Sequence, residues 1–132
     1  MTVPFWCLLV TVLIPYVLAG FGAAQRQSQL GEIDNKNWRV NQLPRLTGIG
    51  ARVYSAQANA WEAVGMFTAA VAVAHLAGAD ARLSAMAAVT FVGARMLHAV
   101  LYLADLDKLR TLTFLVGWGC CLWLFVLAAR AG

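Results

Sequence analysis

The chain has 132 residues, of which 61% are hydrophobic and 12% are charged. An average soluble domain is about half apolar and about a quarter charged. A chain this small keeps much of its surface exposed, so it cannot bury such an excess of apolar side chains away from water. We therefore expect lipid to be its main solvent, which excludes a soluble enzyme, a nucleic-acid-binding protein and a disordered tail.

Four apolar segments predict an all-α membrane protein, a single four-transmembrane-helix bundle that covers residues 1–132. Each segment is long enough to cross a bilayer as a helix. The predicted spans are about 3–24, 52–78, 83–104 and 111–129.

Two polar stretches separate the spans on one side of the predicted bundle, residues 25–51 and 105–110. Together with the start of the second span they hold seven basic residues, Arg26, Lys36, Arg39, Arg45, Arg52, Lys108 and Arg110. The opposite side holds only Arg82 and Arg130. The positive-inside rule therefore predicts that both loops are cytoplasmic and that both termini lie outside the cytoplasm.

The three cysteines, Cys7, Cys120 and Cys121, lie in apolar segments without C-x-x-C spacing. This placement is typical of small buried hydrophobic residues. It indicates neither a disulfide framework nor a metal site.

Polar residues inside the spans are candidate site residues, because an ionisable group in a membrane is costly. The second span carries four polar residues with the spacing of one helical face: Arg52, Ser55, Asn59 and Glu62. The third span carries a similar stripe: Arg95, His98 and Tyr102.

The depths of the two stripes match if Arg52 and Asp105 lie level with the cytoplasmic surface. A rise of ~1.5 Å per residue then places both Glu62 and Arg95 ~15 Å below it. We expect these two side chains to form an ion pair, because a buried charge needs an opposite partner.

Facing stripes would form a polar cleft that opens to the cytoplasm, with Asn59 level with His98 at ~10 Å depth. Its guanidinium groups could bind carboxylates in pairs of hydrogen bonds, and Glu62 could hold an ammonium group. Glutathione has this charge pattern, and so do many other polar metabolites.

Three segments of the sequence are similar to those of one family. Residues 52–62, Arg-Val-Tyr-Ser-Ala-Gln-Ala-Asn-Ala-Trp-Glu, resemble the second-helix signature of the MAPEG family, the membrane-associated proteins in eicosanoid and glutathione metabolism. Residues 34–39 resemble the loop of its bacterial branch. Residues 94–98 and 102–110 match its third helix in residue type. The four-span layout agrees, so the resemblance covers nearly the whole chain.

The resemblance implies a homotrimer in the bacterial inner membrane, surrounded by membrane lipids. It implies glutathione as a co-substrate, bound between neighbouring subunits near the cytoplasmic face. The resemblance implies that five residues contact glutathione: Arg52, Gln57, Asn59, Glu62 and Tyr102. We add two residues of the facing stripe on the third span, Arg95 and His98.

The same resemblance implies that Arg110 takes the place of the catalytic arginine that stabilises the thiolate. A cation beside sulfur favours the thiolate, which is the nucleophile. The implied activity is that of a glutathione transferase or peroxidase acting on an apolar small molecule.

Two other functions fit the sequence. One is a non-catalytic membrane scaffold or accessory subunit with the same fold. The other is a small proton-coupled exporter in which Glu62 carries the proton. The expected pairing of Glu62 with Arg95 argues against the exporter, because a nearby cation keeps a carboxylate ionised.

Overall fold

The computed structural model describes all 132 residues, and its regular structure is entirely helical. In chain order the helices are α1 (Val3–Leu30), α2 (Trp38–Asn41), α3 (Gly48–Leu76), α4 (Ala81–Leu103) and α5 (Asp107–Ala131). A short 3₁₀ turn, Leu43–Arg45, lies between α2 and α3. The predicted all-α class is confirmed.

Three of the four long helices, α1, α4 and α5, are long and apolar enough to cross a membrane. The fourth, α3, is 29 residues long and carries the polar stripe in its first half. Apolar side chains such as Tyr16, Val17 and Val100 point outward and are about 60% exposed. Such a surface suits hydrocarbon, because the helices satisfy their own backbone hydrogen bonds.

Helix α3 runs antiparallel to both α1 and α4. In each pair of helices, residues near the start of one helix contact residues near the end of the other. The pairs that show this are Gln29 with Thr47 and Phe5 with His75 for α1 and α3, and Arg52 with Leu103 and Phe67 with Phe91 for α3 and α4. Helix α3 packs against α1, α4 and α5. Its polar stripe is therefore placed beside α4 and α5.

The core of the bundle is built around two stacked rings, Phe67 and Phe91. Both are fully buried, and their centroids lie 4.0 Å apart. Cys7 and Cys121 are buried in the same cluster, and Cys120 packs partly buried against it. All three cysteines are free, as expected of small core residues.

The helices extend further than the predicted spans on the side of the long loop. Helix α1 continues to Leu30 because residues 25–30 contain neither Gly nor Pro. It ends at Gly31, whose φ of 75° is a left-handed conformation that favours glycine. Helix α3 begins at Gly48, so only residues 31–47 connect the two helices.

The connecting segment is fixed to the end of α1 by Arg26, which is only 6% exposed. Its Nη1 donates to the backbone oxygen of Asp34 and to Oε1 of Gln42, both at 3.2 Å. Its guanidinium lies 5.1 Å from the ring centre of Trp38. Gln42 is fully buried, so these contacts close the loop end of the bundle.

Within this segment, Asp34 organises the turn that leads into α2. Its carboxylate accepts hydrogen bonds from the backbone N–H groups of Asn37 and Lys36 and from the side chain of Asn41. Since these bonds favour the charged form, they hold the pKa of Asp34 below its ordinary value.

Candidate functional site

The polar stripes of α3 and α4 meet through Asn59 and Arg95. The Nη2 of Arg95 donates to Oδ1 of Asn59 at 2.5 Å and to the backbone oxygen of Asn59 at 3.3 Å. Arg95 is 5% exposed, so its charge is held inside the bundle by an amide and a carbonyl. Hydrogen bonds to a charged group are the stronger kind.

The predicted ion pair between Glu62 and Arg95 is wrong. Arg95 forms no ion pair with a carboxylate, and the two ion pairs of the chain lie elsewhere. Glu62 is exposed on α3, and its Oε2 lies 3.5 Å from Nδ2 of Asn59. Asn59 therefore stands between the two charges, and the contact that argued against a proton-coupled exporter is absent.

The way in which the ends of α3 and α4 meet explains why Arg95 binds Asn59 and not Glu62. Arg52 does lie level with Asp105, and its Nη1 is 3.5 Å from the Asp105 carboxylate. However, α4 ends at Leu103, and Asp105 sits in the following turn with a φ of 61°. The Nε of Arg52 donates to the backbone oxygen of Leu103 at 3.1 Å. Asn59 lies seven residues after Arg52, and counting seven residues back from Leu103 reaches residue 96, next to Arg95, whereas counting from Asp105 reaches His98.

His98 binds the first turns of α5. Its Nδ1 lies 2.9 Å from the backbone oxygen of Arg110, and the hydroxyl of Thr113 donates to the same oxygen at 2.9 Å. A carbonyl oxygen can only accept, so Nδ1 carries the proton and Nε2 is the acceptor of the ring. Nε2 is enclosed and has no hydrogen-bond partner.

Arg110 lies over the ring of Tyr102, with its guanidinium carbon 4.1 Å from the ring centre. This distance is well within the range of a cation–π contact. Arg110 forms no ion pair with a carboxylate of the chain. Its charge is therefore positioned by an aromatic face and remains free to bind an anion.

The site residues line two neighbouring cavities that share Asn59 and Phe114. The first, of about 220 Å³, is lined by Asn59, Glu62, Ala63, Met66, Phe91, Arg95, Phe114, Gly117 and Trp118. The second, of about 230 Å³, is lined by Asn59, His98, Tyr102, Arg110, Thr111 and Phe114. The first cavity thus combines the contact between Asn59 and Arg95 with apolar walls, and the second contains the unpaired guanidinium of Arg110.

Two of the predicted ligands lie apart from these cavities. Arg52 is bound to Leu103 and Asp105 at the end of the bundle. Gln57 is half-buried, makes no side-chain hydrogen bond and lines neither cavity. Gln57 precedes Asn59 by two residues. In an α-helix this spacing rotates its side chain by about 200°, so Gln57 points away from the cavities.

Sequence reasoning named Arg110 at the start of α5 but missed three residues further along this helix, Phe114, Gly117 and Trp118. Gly117 packs close to the buried cation, since a Cβ there would lie 3.4 Å from Cδ of Arg95. A glycine in an apolar span gives no signal of such a contact. Trp118 is 45% exposed, so it faces the surroundings and the cavity together.

Comparison with known proteins agrees with this architecture. The family model described as MAPEG family matches residues 3–130, nearly the full length of the chain. Comparison with curated proteins finds no match. A match over so much of the chain, on four long helices with a polar stripe between them, identifies the protein as a membrane protein that belongs to the MAPEG family.

Proposed function

We propose that this protein is a glutathione-dependent transferase or peroxidase that acts on apolar electrophiles. The observation that carries the proposal is the position of Arg110. Its guanidinium has no carboxylate partner, rests on Tyr102 and lines a cavity together with Asn59 and His98. A thiolate is the kind of anion that such a cation would stabilise.

We propose that the protein assembles as a homotrimer in which a neighbouring subunit completes the site. In one subunit the first cavity is open, because Glu62 and Trp118, which line it, are both exposed. A further wall would enclose glutathione there. We place that wall on a neighbouring subunit, where Gln57 and the exposed face of α3 are free to contribute.

In this proposal each polar residue has a separate task. Arg110 stabilises the thiolate, and Glu62, which has no cationic partner, binds the ammonium group of glutathione. Arg95 holds the side chain of Asn59 in place. The apolar walls formed by Met66, Phe91 and Trp118 receive the second substrate.

Two reactions follow from a stabilised thiolate. With a carbon electrophile, sulfur forms the new bond and the leaving group departs with its electron pair. With a hydroperoxide, sulfur attacks the O–O bond to form a sulfenic acid, and the alkoxide released takes a proton. A second glutathione then gives the disulfide and water. Both reactions begin with the same nucleophile.

We place the whole chain, residues 1–132, in the bacterial inner membrane as one domain, with its polar cavities toward the cytoplasm and both termini outside. The excess of Lys and Arg in the two loops on that side supports this orientation. Reporters that function in only one compartment, fused to either terminus, test it, and a cytoplasmic C-terminus would overturn it.

The experiment for the activity is turnover of a generic electrophile by purified protein with glutathione. We expect Arg110→Ala to lower kcat/KM by about 100-fold, the usual effect of removing a group that stabilises a developing anion. Arg110→Lys should recover part of the loss. The matched control is Arg130→Ala, because Arg130 also lies over an aromatic ring, that of Trp123, at the other end of the bundle.

Other results would decide between the remaining functions. Turnover equal to the uncatalysed background in wild type and variants would contradict the enzyme and favour the non-catalytic scaffold. Release of protons when a substrate is added, lost in Glu62→Gln, would favour the exporter.

A further inference from the structure

A cavity larger than either polar cavity lies at the opposite end of the bundle, away from the long connecting segment. It encloses about 400 Å³ between the start of α1, the end of α3 and the start of α4. Glu62, at the middle of α3, and His75, in its last turn, are separated by ~20 Å along the helix. We call this space the outer cavity. Its volume lies within the usual range of about 300–1,000 Å³ for small-molecule sites.

The outer cavity combines apolar walls with a few polar groups. Its apolar lining includes Val3, Pro4, Val71, Ala74 and Leu124. Its polar side chains are Thr2, His75 and Ser84. A mostly apolar space with few polar groups is the usual composition of a site for small organic molecules.

One polar side chain of the outer cavity lacks the partner that a buried hydroxyl normally has. Ser84 is only 7% exposed, and its hydroxyl has no hydrogen-bond partner in the chain. Such a group is rare in a folded protein. His75 is exposed, makes no hydrogen bond within the chain and packs edge-on against Phe5, with ring centres 5.0 Å apart. A ligand in the outer cavity could supply a partner to either residue.

The character of the lining selects the head group of the ligand. No Lys, Arg, Asp or Glu lines the outer cavity, so a carboxylate or an ammonium would lack an opposite charge. A hydroxyl donates and accepts at once, which suits an imidazole nitrogen that accepts and a serine hydroxyl that donates. We propose that the outer cavity is a second binding site, which takes a small apolar alcohol or phenol.

The test uses two probes that differ only in the hydroxyl group, 4-pentylphenol and pentylbenzene, with purified full-length protein in detergent. Each probe is titrated while the thermal unfolding midpoint is measured. Specific binding raises the midpoint with the logarithm of probe concentration. We expect a rise with 4-pentylphenol that is clearly larger than the rise with pentylbenzene. Equal shifts, or none, would overturn the proposal.

Variants locate the effect. Ser84→Ala should remove the difference between the probes without lowering the midpoint of the free protein, because the lost hydroxyl has no partner. The control is Ser55→Ala, because the hydroxyl of Ser55 is exposed and binds only its own helix.

Ala85→Phe narrows the outer cavity and should weaken the binding of both probes. A difference between probes that survives in Ser84→Ala would contradict the site. These readouts involve neither glutathione nor Arg110, so they are independent of the proposed activity.

Discussion

Arg95 on α4 donates to the side chain of Asn59 on α3 at 2.5 Å, and this contact is the closest link between the two polar stripes. It places an amide between the guanidinium and the carboxylate of Glu62. Because an amide has both a donor and an acceptor end, Asn59 can bind the cation on one side and face the anion on the other. The contact leaves Glu62 without a cation of its own.

Replacing Asn59 should destabilise the bundle because it removes the side-chain acceptor of a buried charge and leaves only the backbone oxygen of residue 59. We expect Asn59→Ala to lower the free energy of unfolding by about 2 kcal/mol, the usual contribution of a hydrogen bond to a charged group. Reversible denaturation in detergent micelles measures it. Ser55→Ala, one turn before Asn59 on the same helix, is the control and should have little effect, because its hydroxyl is exposed and binds only the backbone of its own helix. In a double-mutant cycle, strictly additive effects of Asn59→Ala and Arg95→Met would contradict the contact.

Gly22 allows α1 to approach α3 at the ring of Tyr54. A Cβ at this position would lie 2.6 Å from Cζ and 2.8 Å from Oη of Tyr54, which is 9% exposed. We expect Gly22→Ala to destabilise by about 1–3 kcal/mol, the usual cost of overpacking. Gly20→Ala is the matched control, because no atom lies within 4 Å of its Cβ position. Equal stability of the two variants would show that the helices do not meet in this way.

Asp34 should make the loop end of the bundle sensitive to acid. The backbone N–H of Asn37, that of Lys36 and the side chain of Asn41 lower its pKa in the folded protein. Its contribution to stability is therefore complete above the ordinary carboxyl value of 3.8 and is lost as the pH falls through the lower folded value. Asp34→Asn should be less stable than wild type at neutral pH, and the difference should shrink in acid. Unfolding midpoints measured across this range test it, and a difference that grows in acid would have the wrong sign.

Gly117 should determine how much room the apolar substrate has beside Arg95. An added methyl group would make ordinary contacts, 3.4 Å from Cδ of Arg95 and 3.6 Å from the ring of Phe91, so Gly117→Ala should fold normally. Gly117→Leu should occupy the cavity and raise the KM for the apolar electrophile by about tenfold, as expected for a filled apolar pocket. The KM for glutathione should change little. An equal rise in the two KM values would mean that glutathione and the electrophile occupy the same part of the cavity, which would contradict the prediction.

Several relationships could be predicted from the sequence because they depend on where apolar segments end. Arg52 and Asp105 border two adjacent spans, and the structure brings them within 3.5 Å. The grouping of Asn59 and Glu62 on one face of α3 follows from helical spacing alone. Both line the same cavity as Arg95.

Other features depend on details that spacing does not contain. The partner of Arg95 changed because α4 ends two residues before Asp105, and helix ends are the least certain part of such a prediction. Gln42 is fully buried in the connecting segment, where no periodic pattern marks it as a partner for Arg26. Gly117 lies in an apolar span, and its contact with Arg95 depends on the packing of α5.

The most direct test of the proposed glutathione site is the thermal unfolding midpoint of the purified protein as a function of glutathione concentration. We expect the midpoint to rise with the logarithm of concentration in wild type and in Arg130→Ala, and to rise much less in Arg110→Ala. No rise in wild type, or equal rises in all three proteins, would contradict a glutathione site at the polar cavities.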